Sequence, residues 1–176
     1  MNTRWVGYGV AAAAVVAALV LLGLSSGALA PYLGGYDAGA DFNESRGYDH
    51  TEVAVYDGET EEELGRVNAA VADTFSKRYV GLSETDDLPA DRGMLFIHDG
   101  AAERTYVMRN MSFGIDIVFV APNGTITTIH EAPEPGPNED GEEQRYSGTG
   151  KYVLEVNKGW MAERGIEEGD RIEFEL

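Results

Sequence analysis

From Trp5 to Tyr36 the chain carries no charged side chain, and Val6–Leu24 within that stretch is almost wholly apolar. Nothing else in the sequence limits the fold as strongly. A 19-residue helix spans roughly 28 Å, close to the hydrocarbon thickness of a bilayer. Buried in a soluble core, such a helix would have to be covered on every face. The segment 1–30 therefore reads as an N-terminal transmembrane anchor. Arg4 precedes it and all 31 acidic residues follow it, so the N-terminus is expected inside and the rest outside. Ala28-Leu29-Ala30 has the spacing of a signal-peptide cleavage site, and cleavage would leave a secreted domain. Pro31 directly after it opposes that cleavage.

Residues 31–50 are rich in Gly and Asp, lack an apolar period, and read as a flexible tether. An extracytoplasmic domain over 51–176 is then expected. Its composition excludes several classes. The formal net charge is −18, with 31 acidic against 13 basic residues, so no basic footprint for nucleic acid exists. Acidic excess with few lysines, beside 43% apolar residues, looks like a folded protein of a salt-loving organism rather than a disordered acidic chain. There is no cysteine, which excludes disulfides, a thiol nucleophile and thiolate-bound zinc.

Short strands dominate the remainder. Period-two alternation marks Thr51–Asp57, Leu64–Asp73, Gly93–His98, Arg104–Asn110, Ile115–Ala121, Thr125–Glu131 and Lys151–Asn157. Thr74 is placed to cap a helix over Phe75–Val80 that Gly81 ends. Residues 132–148 read as a long loop, and 159–164 as one or two helical turns stopped by Gly165. A final strand carries Ile172 and Phe174 inward. The class is β-rich α+β, a small partly closed β-barrel-like domain with short helices, preceded by the one transmembrane helix.

The order and spacing of several short runs resemble the domain-of-unknown-function family 192. These runs are Arg92-Gly93-Met94-Leu95-Phe96, Met108-Arg109-Asn110, Ile115-Asp116-Ile117-Val118-Phe119, Tyr152-Val153-Leu154-Glu155, Gly159-Trp160, Gly165-Ile166 and Gly169-Asp170-Arg171. The resemblance implies a compact β-rich domain, often secreted or membrane-attached, and no activity. Val107, Met111 and Gly114 depart from the residues usual beside the Met-Arg-Asn motif.

The turn Pro122-Asn123-Gly124 sets a register. Pro fits position i+1 of a type I turn and Gly a left-handed bulge, which pairs Ala121 with Thr125. Counting back places Asp116 opposite His130, whereas a shift of one would oppose Asp116 and Glu131, a like-charge pair. Asp116 and His130 are thus the candidate catalytic pair, as general acid and base. A hydrogen-bonded pair closing a sheet face is the commoner use of such residues. Arg92, Met108, Arg109 and Asn110 are candidate ligand-binding residues. Arg92, Arg109 and Arg145 could each hold an anion or serve a salt bridge. His98, in His-Asp-Gly, reads as an exposed turn residue. No metal-ligand spacing is present, and neither metal nor cofactor is expected.

These features favour a membrane-anchored, extracytoplasmic binding or interaction module without catalysis. The alternative is a hydrolase or transferase working through Asp116 and His130. The partners expected are the membrane, through residues 6–24, and a protein or small molecule that the sequence does not identify, with no nucleic acid.

Overall fold

The computed structural model describes residues 47–176. The expected span Val6–Leu24 and most of the tether lie outside them. Among the described residues no helix is long and apolar enough to cross a membrane.

Seven strands form one sheet. They are β1 (Asp49–Tyr56), β2 (Glu63–Ala72), β3 (Arg92–Val107), β4 (Ile115–Val120), β5 (Ile126–Ala132), β6 (Arg145–Asn157) and β7 (Arg171–Phe174), in the order β5-β4-β6-β3-β2-β1-β7. β2 and β3 run parallel, and the other neighbouring strands pair antiparallel. The crossover between β2 and β3 carries α1 (Phe75–Val80). Thr74 Oγ1 accepts from Lys77 N at 3.3 Å, and Gly81 ends the helix with a positive φ of 54°. The outer strands β5 and β7 meet end to end. Thr125 bridges Arg171, Ile126 N donates to Asp170 O at 2.8 Å, and Ile172 N donates to Gly124 O at 2.8 Å. The sheet is therefore a partly closed barrel, which leaves little free edge to recruit other strands.

Alternation sorts the apolar residues into two cores. Every strand contributes to the inner one, including Val53, Val67, Leu95, Val118, Ile126, Leu154 and Ile172, with Trp160, Met161 and Ile166 closing one end. The second lies on the outer face of the central strands, where Met94, Phe96, Ile115, Ile117, Phe119 and Val153 are covered by Leu82, Leu88 and Met108. Central strands covered on both faces are apolar at nearly every position, as the all-buried β4 shows.

Several expectations are corrected. β1 begins at Asp49, within the stretch read as tether. β3 runs through His98-Asp99-Gly100, because the β6 partner strand already starts at Arg145, inside the stretch read as loop; pairing from Ala102↔Gly150 to Val107↔Arg145 holds this polar arm. The Pro122 turn forms as expected: Ala121 N donates to Thr125 O at 2.8 Å, and Gly124 adopts φ 89°. The register beyond it does not. Val120 meets Ile126 but Phe119 meets Thr128, so Thr127 is an extra residue in β5. Its hydroxyl donates to Thr149 O at 2.7 Å, and Phe119 O lies 3.1 Å away. Asp116 consequently faces Glu131, and His130 faces Ile117.

Candidate functional site

Asp116 and His130 are not brought together. Successive strand residues point to opposite faces, so the bulge at Thr127 puts the two on opposite sides of the sheet. Asp116 is fully buried on the inner side. Its Oδ1 accepts from Gly159 N at 2.9 Å and its Oδ2 from Met161 N at 2.9 Å. Burial raises its pKa, and these two N–H groups pull against that rise. The carboxyl thus fixes the turn that lays Trp160 and Met161 over the barrel end. Glu131, facing it across the ladder, turns outward to Lys158 Nζ at 3.5 Å; its charge still raises the Asp116 pKa, and the Lys158 ammonium opposes that. His130 lies on the outer face, with Nε2 2.9 Å from Ser147 O and its ring between Phe119 and Tyr146.

The four candidate ligand-binding residues also separate. Met108 is fully buried in the outer core. Asn110 occupies the left-handed region at φ 55°, where Asn is tolerated in tight turns, and Met111 N closes that turn onto Met108 O at 3.3 Å. Arg92 stands beside His50, with Nη2 3.4 Å from its Nε2. Arg145 is exposed at the start of β6. Arg109 alone among these reaches the cavity described next, although Met108, Arg109 and Asn110 also line a second depression against the 135–142 loop.

A cavity of about 430 Å³ opens on the outer face between the C-terminal half of α1, the 81–83 turn, and β3. Glu155 forms part of its wall. On β6, Glu155 sits between Met94 of β3 and Ile117 of β4, and is 5% exposed. No hydrogen bond or ion pair answers its carboxyl among the described residues, and burial alone pushes its pKa up to about 8. At neutral pH it is a protonated acid, able to donate one hydrogen bond and accept others.

Tyr106 and His98 of β3 stand beside it. Tyr106 Oη is 3.0 Å from His98 Nε2. Burial, and then the nearby Glu155, raise the Tyr106 pKa. Burial, with Arg104 and Arg78 close by, lowers His98 to about 4, so its imidazole is neutral. Tyr106 meets Phe96 and Phe119 edge to face at 5.1 and 5.8 Å, which locks the phenol in place.

Three arginines border the cavity, and backbone carbonyls hold all three. Arg78 Nη1 donates to Asp73 O at 2.6 Å and to Ile97 O at 2.7 Å. Arg104 Nη2 donates to Gly100 O at 2.7 Å. Arg109 Nη2 donates to Tyr79 O, with its guanidinium 4.1 Å from the Tyr79 ring centre. None of them forms an ion pair with a described carboxylate. A neutral carbonyl orients a guanidinium and leaves its charge available. No group of three or more His, Asp or Glu side chains among the described residues is placed to hold a metal ion.

A family model matches residues 57–174, two thirds of the chain, and describes uncharacterized proteins under the designation DUF192. This chain belongs to that family. Among solved structures, a proposed transcription regulator from Sinorhizobium meliloti is 28% identical, covering 72% of this chain and 95% of its own, with a TM-score of 0.64. A protein of unknown function from Novosphingobium aromaticivorans is also 28% identical, covering 69% and 83%, with a TM-score of 0.57. No curated protein matches. In this DUF192 domain the Met108-Arg109-Asn110 run directly follows β3, with one residue in the core, one at the cavity and one in the turn.

Three cavity residues, Arg78, Arg104 and Tyr106, stand in no motif singled out from the sequence, and Glu155 stands in the Tyr152-Val153-Leu154-Glu155 run without having been read as a site residue. A signal exists for Glu155. It interrupts the apolar run Tyr152–Val156, and a strand paired on both sides has little tolerance for a charge.

Proposed function

We propose that this DUF192 chain is a small-molecule-binding module, held at the outer face of the cell membrane by residues 6–24. One observation carries the binding reading: a largely buried carboxyl without a protein partner that opens onto a cavity bordered by three guanidinium groups held by backbone carbonyls. A ligand that meets this carboxyl, and fills the space beside it, gains a hydrogen bond in a desolvated site. A volume of about 430 Å³ suits a small organic molecule. The charge-free apolar stretch supports the anchor. The acidic composition supports a domain adapted to molar salt, whose thermal melts should move upward as potassium chloride is raised.

Full-length protein extracted from membranes at high salt tests the site by native mass spectrometry. The wild type should retain a small molecule that Glu155→Leu loses; equal retention, or none in either, overturns the reading. The intact mass decides the anchor, since a mature N-terminus near Pro31 would leave a secreted domain. The Sinorhizobium relative invites a transcriptional role, but the net charge of −18 opposes contact with DNA.

A further inference from the structure

We infer that the ligand of this cavity is an organic anion, setting a carboxylate or phosphate among Arg78, Arg104 and Arg109 and a neutral acceptor such as a carbonyl against the Glu155 carboxyl. The inference rests on the binding reading above and assigns the ligand's chemistry.

The arginines set the sign of charge. The chain has 10 arginines and 3 lysines against 31 acids, yet three arginines border this one cavity without a carboxylate partner. The single carboxylate at the rim, Glu103, is exposed. A ligand ammonium would have to approach fixed guanidinium groups, whereas an anion gains charge-assisted hydrogen bonds from them. Two of the guanidiniums are pinned to backbone carbonyls of β3, Arg78 on Ile97 O and Arg104 on Gly100 O, so little side-chain freedom is lost when the anion arrives.

Glu155 sets the other end. Its flanking ladder neighbours, Met94 and Ile117, are apolar and fully buried. The polar groups nearby are Tyr106, already engaged with His98, and the guanidiniums, already turned to backbone carbonyls. A carboxyl in such surroundings keeps its proton and offers it to an acceptor. Phe96, Tyr106 and Ile115 supply the apolar wall for a ligand body between the two ends.

The pH response follows from the groups facing Glu155. His98 of β3 is neutral above about 4, and Tyr106 of β3 keeps its proton well past neutrality. β4 contributes only Ile117 across the ladder, and α1 contributes Arg78. Glu155 is then the group that changes charge as pH passes about 8. Its ionisation removes the donor and places a negative charge near the bound anion.

Calorimetric titration of the full-length protein in detergent, at fixed salt, with three probes tests this. The probes are 4-acetylphenylacetate (anion with a carbonyl at the far end), 4-ethylphenylacetate (anion without that carbonyl) and phenethylammonium (cation). 4-Acetylphenylacetate should bind best and phenethylammonium worst. Arg104→Gln should weaken 4-acetylphenylacetate by about tenfold or more. Affinity should fall as pH rises past 8 in the wild type and stay level in Glu155→Gln. Preference for phenethylammonium, or an unchanged affinity in Arg104→Gln, overturns the anionic class while the cavity remains a binding site. Binding of none of the three, with no retained molecule in the mass spectrum, overturns both readings. Circular dichroism melts of each variant separate lost binding from lost folding.

Discussion

Asp116 and Glu155 are buried carboxyls on adjacent strands, and their surroundings are opposite. Asp116 pairs with Val156 across the ladder and Glu155 with Ile117, so the two sit one residue apart in register and on opposite faces. Asp116 looks into the closed core, where two backbone N–H groups meet its two oxygens at 2.9 Å each. Glu155 looks into a cavity and is met by no described donor. Both acids are desolvated, but only one is repaid within the fold. A satisfied buried acid organises the polypeptide around it; an unsatisfied one beside open space is a functional candidate.

The largest expected effect is on the pH dependence of stability. Glu155 has a folded pKa of about 8 against an ordinary 4.5, so the folded state holds a proton that the unfolded state releases. Its contribution is fully present below about 4.5 and is lost as pH rises to about 8, on the order of 5 kcal/mol in all. Glu155→Gln should abolish that decline in urea unfolding at a series of pH values. Parallel pH profiles for the two proteins would show that the carboxyl is already paired. Next, Asp116→Ala should cost about 3 kcal/mol, because Gly159 N and Met161 N lose their acceptors inside the core. A loss under 1 kcal/mol would mean that water replaces the carboxyl. The opposite sign is expected at the other acid: Glu155→Leu should stabilise the domain at pH 6 by about 1–2 kcal/mol, since an apolar side chain there leaves nothing unanswered. Destabilisation would place a hidden partner at Glu155. The smallest effect belongs to His98, because its side chain is only partly buried and solvent screens most of the charge it would carry. Its pKa of about 4 lies below the ordinary 6.5, so it stabilises above 6.5 and loses that contribution as pH falls toward 4. His98→Asn should flatten the acid limb of the melting profile by a few degrees at most, and an unchanged limb would show an exposed imidazole.

Features written in adjacent residues were legible in the sequence. Thr74, Gly81 and the Pro122-Asn123-Gly124 turn each act through their own backbone preferences, and each stands where those preferences put it. Features that depend on a distant partner were not. Thr127 has no sequence mark of a bulge; its hydroxyl is held by Thr149 O of β6, a strand that follows a long connection, with Phe119 O of the same hairpin beside it. That one residue moved Asp116 from His130 to Glu131. The like-charge argument against this pairing failed because each acid found its own answer, Asp116 in the 159–161 backbone and Glu131 in Lys158. The polar arm 98–104 is strand only because β6 reaches back to meet it. Glu155 was visible as an acid in an apolar run, but its isolation was not, since that requires knowing what both neighbouring strands put beside it.

The seam between β5 and β7 bears on how the protein is made. β1 leaves the ribosome first of the seven strands and must lie between β2 and β7, which leaves it last. Until Arg171–Phe174 has emerged, one side of β1 and the end of the Pro122 hairpin both lack their partner. Closure is therefore a step after synthesis of the strands, and for that interval the growing chain presents an open sheet edge whose protection must come from its acidic charge or from another protein.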